Sequence, residues 1–233
     1  MKRSKHLEAH GIIALKPSHP RIKQLSQHRQ KTRIHGHKIW DSSYVLMDFL
    51  LDEPIRKRAR MMELGCGWGL LSVFLAHYFE GQVTSVDADA NVFPFADLHA
   101  EINDVDIQTL QARFERLTIK RLSQESLIVG SDICFWSDLT PVLFNCIRRA
   151  LKGGVGRILI ADPGRAPFFE LHERCAESLH QCDVTLYEHS TEVPHSAEAH
   201  VLDIQLPLVE PMAINPHHLM HVDTHISQPL ELC

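Results

Sequence analysis

With 233 residues, 44% of them hydrophobic, the chain is long enough for one α/β domain with a sizeable core. No apolar run reaches the ~18 residues that span a bilayer, and the basic N-terminus lacks the apolar stretch of a secretory signal, so a cytoplasmic protein without a membrane partner is expected. The formal net charge of −5 is unevenly spread: residues 1–40 hold ten Lys or Arg against one acid, Glu8, and the rest holds 14 basic and 28 acidic side chains.

Residues 1–39 read as a basic N-terminal arm, interrupted by Pro17 and Pro20, in which only short structure is expected. Such an arm can pair with the acidic body of its own chain, steer an acidic macromolecule, or stay solvated. It contains no aromatic residue on which bases could stack before Trp40, which argues against nucleic acid as a partner. Asp41 is placed to cap a helix over residues 42–51, with Tyr44, Val45, Met47, Leu50 and Leu51 on one face. Pro54 follows its end, and Arg56-Lys57-Arg58 reads as a solvated turn.

The next stretch, Met61-Met62-Glu63-Leu64-Gly65-Cys66-Gly67-Trp68-Gly69-Leu70-Leu71, runs from a buried strand through a glycine loop into a helix. Glycines allow φ > 0 and close approach of the backbone to a ligand, and the helix turns its free N–H groups toward that ligand. The spacing is not the dinucleotide fingerprint, whose third small residue would fall at Leu70, and no phosphate-binding P-loop occurs anywhere in the chain. Glu63 would repel a pyrophosphate but attract a cation, and S-adenosylmethionine (SAM) carries both an ammonium and a sulfonium. A helix over Leu70–Phe79 stops at Gly81, and the strand Gln82–Asp87 ends in an acid placed to accept hydrogen bonds from ribose hydroxyls. Loop and acid together make SAM the expected cofactor.

Beyond Asp87 the pattern predicts a helix over residues 92–103, a strand Ile107–Gln111, and a buried strand over residues 126–135 broken by Gly130. Thr140-Pro141 is a cap and first-turn pair for a helix running to residue 151 and closed by Gly153. A strand over residues 157–161, a helix over 168–179 and a strand pair at 184–187 and 201–206 complete the body. Alternating strands and helices imply a doubly wound, mostly parallel sheet, with ligands at the carboxyl ends of the strands, where the glycine loop, Asp87, Asp132 and Asp162 fall. The domain so delimited is residues 40–206, with a polar His- and Pro-containing tail over 207–233. His217, His221 and His225 are spaced for one helix face, a spacing that can bind metal, but Pro216 and Pro229 bracket them and no metal is assigned. The six cysteines show no C-x-x-C pair, and no disulfide is expected.

The order of elements and the two motifs resemble the class I, seven-β-strand SAM-dependent methyltransferases, a Rossmann-like fold. Three further stretches resemble the electron-transfer-flavoprotein β-subunit lysine methyltransferases and their bacterial relatives: Trp40-Asp41-Ser42-Ser43 leading to Leu50-Leu51-Asp52-Glu53-Pro54; Ser131-Asp132-Ile133-Cys134-Phe135; and Ala161-Asp162-Pro163-Gly164-Arg165-Ala166-Pro167-Phe168. The likeness covers roughly residues 38–206. It implies a cofactor-binding set of Trp40, Glu63, Gly65, Cys66, Gly67, Gly69, Asp87 and Ala88, with Glu63 and the glycines bordering the methionine part, Asp87 holding the ribose and Trp40 walling the pocket. It also implies that Asp132 opens a D-x-x-Y motif at the substrate mouth; Phe135 replaces the tyrosine, and Trp136 offers a second aromatic wall.

Asp132, Phe135 and Trp136 are therefore the expected catalytic residues, and a protein lysine the expected acceptor. Asp132 would bind and orient the amine, and the aromatic walls would favour its neutral form. Asp162-Pro163-Gly164 reads as a structural turn and Arg165 as part of a solvated loop. The N/D-P-P-Y/F motif of adenine and glutamine methyltransferases is missing, which leaves a small-molecule amine methyltransferase and a non-catalytic SAM-binding module as the rivals.

Overall fold

The computed structural model describes residues 4–27, 38–53 and 55–207. It is organised by a seven-stranded sheet built from β3 (Arg60–Leu64), β4 (Gln82–Asp87), β5 (Ile107–Gln111), β6 (Leu127–Ser131), β7 (Arg157–Asp162), β8 (Asp183–Thr191) and β9 (Ala197–Gln205). The order is β5-β4-β3-β6-β7-β9-β8, parallel from β5 to β7, with β9 antiparallel to β7 and β8 antiparallel to β9. The chain winds outward from β3 in both directions, so the carboxyl ends of β3 and β6 diverge around one crevice, the position where open α/β sheets bind ligands.

The central strands β3, β6 and β7 are buried on both faces because both faces are covered. Met62, Leu64, Ile128, Ile158 and Ile160 point to one side, against Leu143 and Ile147 of α6 (Thr140–Lys152) and Phe168 and Leu171 of α7 (Ala166–Ser178). Their sequence neighbours Met61, Val129, Leu159 and Ala161 point to the other, against Tyr44, Met47 and Leu50 of α2 (Asp41–Asp52) and Leu70 and Phe74 of α3 (Leu70–Phe79). The helices α4 (Phe93–Ile102) and α5 (Ile119–Leu122) complete the crossovers that follow β4 and β5. No helix among the described residues is long and apolar enough to cross a membrane.

Residues 6–27 are more structured than the sequence suggested. Strands β1 (His6–Ala9) and β2 (Ile12–Leu15) form a hairpin, followed by α1 (Pro20–Gln27). The two loop residues, His10 and Gly11, have φ of 48° and 79°, the signs of a type I′ turn. Ala9, Ile12 and Ala14 enter the same core as α2 and α3, and Leu15 and Ile22 pack with Trp68, Phe95 and Leu98. The free edge of β2 is satisfied by side chains of α4 and its C-cap: Ile13 N–H donates to Asn103 Oδ1 at 2.7 Å and Leu15 N–H to His99 Nε2 at 3.0 Å. Burial lowers the His99 pKa to about 4, so the ring is neutral and free to accept that bond. A boundary at residue 39 thus runs through shared cores. Of the arm's basic residues, Arg21 pairs with Glu101 at 2.5 Å, both largely exposed and so of small energetic weight; residues 28–37 and the 208–233 tail with its histidines lie outside the described residues.

Several element ends differ from the sequence reading. Asp41 is not the cap of α2 but its first residue, beginning after Trp40, and it accepts a hydrogen bond from His195. Likewise α6 begins at Thr140 with no side-chain cap; the Thr140 hydroxyl donates instead to Pro167 O at 3.3 Å. The strand expected over residues 126–135 ends at Ser131, because Asp132 turns the chain with φ 53°. β8 and β9 are longer than their apolar cores, since ladder pairs such as Glu188 with His200 and Thr191 with Ala197 continue along the sheet edge.

Candidate active site

A cavity opens at the carboxyl ends of β3, β4 and β6, and the sequence motifs converge on it. Its wall includes Trp40, Glu63, Gly65, Cys66, Gly67, Asp87, Ala88, Asp132, Phe135 and Trp136, all residues expected to form the site. Gly69 is not in that wall. It precedes α3 as its N-cap at φ 71°, and a Cβ there would lie 2.7 Å from Ala96 Cβ and 3.1 Å from Ala96 Cα, so the glycine serves the packing of the loop on α4. Gly69→Ala should therefore lower stability by about 2–4 kcal/mol, combining left-handed strain with overpacking, while adding no group to the cavity. Urea unfolding of the two proteins measures this.

Local sequence explains how each acid is held. Glu63, next to last in β3, is buried, and its Oε2 accepts from Ser72 N–H at 2.9 Å and Ser72 O–H at 2.5 Å, with Ser85 O–H donating in turn to Ser72 Oγ at 2.7 Å. Burial raises its pKa to about 8, against the opposing effect of the Ser72 bonds. Asp87 closes β4; its Oδ2 accepts from Gly67 N–H at 3.1 Å and its Oδ1 from Asp89 N–H at 2.9 Å. Burial raises its pKa too, the two N–H donors acting in the opposite sense. The glycine loop is thereby clipped to the acid, and Gly67 holds φ 50° to make the contact. Cys66 is buried, which pushes its thiol well above the ordinary cysteine range and keeps it protonated at neutral pH.

On the other side of the crevice Ile133 folds back over the sheet. A Cβ at Gly65 would lie 2.5 Å from Ile133 Cγ2, and one at Gly130 would lie 2.7 Å from Ile133 Cδ1, so both glycines are required by this close approach. The reversal aims Asp132 at Arg165, whose Nη2 donates to Asp132 Oδ1 at 2.8 Å and whose Nη1 donates to Asp162 Oδ2 at 2.7 Å. Arg165 is not a solvated loop residue as the sequence suggested: its side chain is 24% exposed, and its guanidinium sits 4.4 Å from the Phe135 ring centre and 5.8 Å from that of Trp40. Trp40 and Phe135 meet edge to face at 5.3 Å, Lys38 Nζ lies 3.8 Å over Trp40, and Trp136 is 46% exposed at the rim.

Sequence reasoning missed several wall residues. Arg113, Phe114 and Glu115 follow β5 and reach the cavity, a placement readable from the same carboxyl-end rule that found Asp87. Ser43 and Ser131 share a buried 2.7 Å hydrogen bond that ties α2 to the end of β6. Trp68 lines the cavity while stacking on Phe95 at 5.1 Å.

Residues 61–154 match the family model described as a methyltransferase domain. Over that stretch, which spans β3 to β6, the chain is similar to methyltransferase domains. It is 32% identical over 130 residues to the electron transfer flavoprotein beta subunit lysine methyltransferase of Xenopus laevis, covering 55% of this chain and 52% of that protein. The chain thus spans about half the length of that curated relative. Among solved structures, the SAM-dependent methyltransferase of Agrobacterium tumefaciens matches with TM-score 0.62 and 15% identity over 89% of this chain and 72% of its own. The magnesium protoporphyrin IX methyltransferase of Synechocystis with bound SAM matches with TM-score 0.52 and 12% identity, covering 71% and 78% of the two chains. At these identities the structural matches establish the methyltransferase fold.

The residues present fit SAM. Glu63 and Asp87 set carboxyl groups on the cavity wall, with the backbone of Gly65 and Gly67 exposed between them. Two buried polar atoms of wall residues, Trp68 Nε1 and Asp132 Oδ2, have no hydrogen-bond partner within the protein.

Proposed function

We propose that the protein is a SAM-dependent N-methyltransferase whose acceptor is a lysine side chain of another protein. The observation that carries this reading is Asp132 Oδ2: a carboxylate oxygen buried in the cavity wall, without a partner, beside Phe135 and Trp136. Arg165 balances only one of the two carboxylates it touches, so the cluster keeps one formal negative charge, which suits an ammonium. The likeness to a curated protein lysine methyltransferase supports the same acceptor.

In this reading Glu63 and the backbone of Gly65 and Gly67 hold the methionine part of the cofactor, Asp87 and Ala88 border the ribose, and Trp40 closes the wall. SAM supplies an electrophilic methyl group on a sulfonium. The protein has to align the acceptor lone pair with that methyl and exclude water. A lysine amine has a reference pKa of about 10.4 and arrives protonated. Asp132 Oδ2 accepts one of its N–H bonds while Oδ1 stays on Arg165, and the Phe135 and Trp136 rings disfavour the charged form. The proton leaves to solvent at the rim, the nitrogen bonds to the methyl carbon, the carbon–sulfur bond breaks, and S-adenosylhomocysteine is the by-product. Phe135 offers no hydroxyl, so orientation of the amine falls to Asp132.

Incubation of the purified chain with methyl-tritiated SAM and a cell lysate tests this. The expected result is label in a discrete protein band, recovered as methyl-lysine after acid hydrolysis and lost with Asp87→Ala. Label confined to small molecules would move the acceptor to a free amine, and SAM binding with no labelled product would identify a binding module.

A further inference from the structure

A second cluster of metal-type ligands lies outside the cofactor cavity, where the turn of the N-terminal hairpin meets α2 and the edge strand β8. Asp48 and Asp52 stand four residues apart on α2, and each has an oxygen within 4.8 Å of the other's and of a ring nitrogen of His189 on β8. His189 Nε2 is 3.3 Å from Asp48 Oδ2. Like charges at this spacing on a helix repel unless a cation sits between them. None of these residues lines the cavity of the methyltransferase site.

The independent observation is His10, in the hairpin turn. Its side chain is 7% exposed, its Nε2 is buried with no hydrogen-bond partner, and that nitrogen points at Asp48 Oδ1 from 3.5 Å. Thr191 O–H donates to the same Asp48 oxygen at 3.2 Å, the kind of support that orients a ligating carboxylate. A zinc ion with bonds of about 2.0–2.1 Å places tetrahedral ligand atoms about 3.3 Å apart. His189 stands at that separation from Asp48 Oδ2, and His10 stands 3.5 Å from the other oxygen, Oδ1.

We infer that Asp48, Asp52 and His189, with His10 as the further donor, form a binding site for a divalent transition-metal ion of the zinc type. Imidazole together with carboxylate selects that class over magnesium or calcium, which take oxygen ligands. The site has no catalytic role in the reading above. It would fasten the hairpin turn and the sheet edge to α2, and so bind the N-terminal segment to the domain.

The test uses the full chain, stripped with chelator and dialysed, in a background where His217, His218, His221 and His225 are changed to Gln so that the tail cannot supply ligands. Calorimetric titration with Zn2+ should give one ion per chain and a raised unfolding temperature. Asp48→Asn should weaken binding by about tenfold or more, with SAM affinity, the control for folding, unchanged. In the same background His189→Cys with Co2+ should add a thiolate-to-cobalt charge-transfer band, a gain of signal that destabilisation cannot imitate. Binding that vanishes with the tail histidines, survives Asp48→Asn, or gives no thiolate band with His189→Cys would overturn the assignment.

Discussion

Arg165→Ala should unfold about 6–20 °C below the parent chain at pH 7, the largest stability loss expected of any single side chain near the site. Its guanidinium is the shared partner of Asp132 and Asp162, whose side chains are 3% and 0% exposed. Removing one member of such a buried set leaves its charges uncompensated, at about 3–5 kcal/mol, and each kcal/mol moves the midpoint of a chain of this size by about 2–4 °C. The loss carries a pH signature. Burial already raises the Asp162 pKa while Arg165 is present to oppose it. Without the guanidinium the Asp162 carboxyl would titrate further above its unfolded value. A raised folded-state pKa means stability that is retained below the unfolded pKa and lost as pH climbs toward the folded one. The deficit should therefore be small near pH 4 and full by pH 7–8. Arg165→Lys keeps the charge without the fork that reaches two carboxylates, and should fall between the two. Thermal unfolding across that pH range decides it; a deficit independent of pH would mean that the guanidinium acts by packing on Phe135 and Trp40 instead.

Arg165 also shows where sequence reading stops. Its partners lie three and 33 residues away, and nothing in a polar Asp-Pro-Gly-Arg run announces that the second one folds back to meet it. Asp132 was found as a residue, but the apolar run around it reads as continuous strand. The turn at φ 53° exists because Ile133 fills the space that Gly65 and Gly130 leave open, a contact between distant segments. By contrast Leu70–Phe79 lies between Gly69 and Gly81, Gln82–Asp87 starts directly after Gly81, and these two elements and Ile107–Gln111 have the expected limits. The β1–β2 hairpin carries its own turn signal at His10-Gly11, but four-residue strands among charged neighbours are too short for periodicity to register. Its packing, and the bonds from Asn103 and His99 that satisfy its edge, are tertiary.

Glu63 should make cofactor affinity rise with pH, by roughly tenfold between pH 6 and 7.5, and Glu63→Gln should abolish both the rise and most of the affinity. With its pKa raised to about 8 by burial, Glu63 is mostly a neutral acid at pH 7 when the site holds no cation. An ammonium or sulfonium nearby favours the carboxylate, so binding below pH 8 expels a proton, and the cost of expelling it grows by about 1.4 kcal/mol for each pH unit. The comparison stops at pH 7.5 because an α-amino group has a reference pKa of about 7.7–8.0 and loses its charge beyond that. Calorimetry in buffers of different ionisation enthalpy should count about one proton released per SAM bound near pH 6.5. Gln at this position keeps an acceptor for Ser72 but no charge, and a charge-assisted bond lost is worth about 1.5–3 kcal/mol, a weakening of roughly 10- to 150-fold at pH 7.5. The same residue fixes a sign for stability. A carboxyl whose folded pKa lies above its unfolded value contributes less as pH rises from about 4.5 to about 8, so the cofactor-free parent should lose stability over that interval and Glu63→Gln should not. The two slopes have one origin: the ionisation that the empty site resists is the one the bound cation would require. Affinity that stays flat with pH, or a Gln variant that binds SAM as the parent does, would place the cofactor's charge away from Glu63.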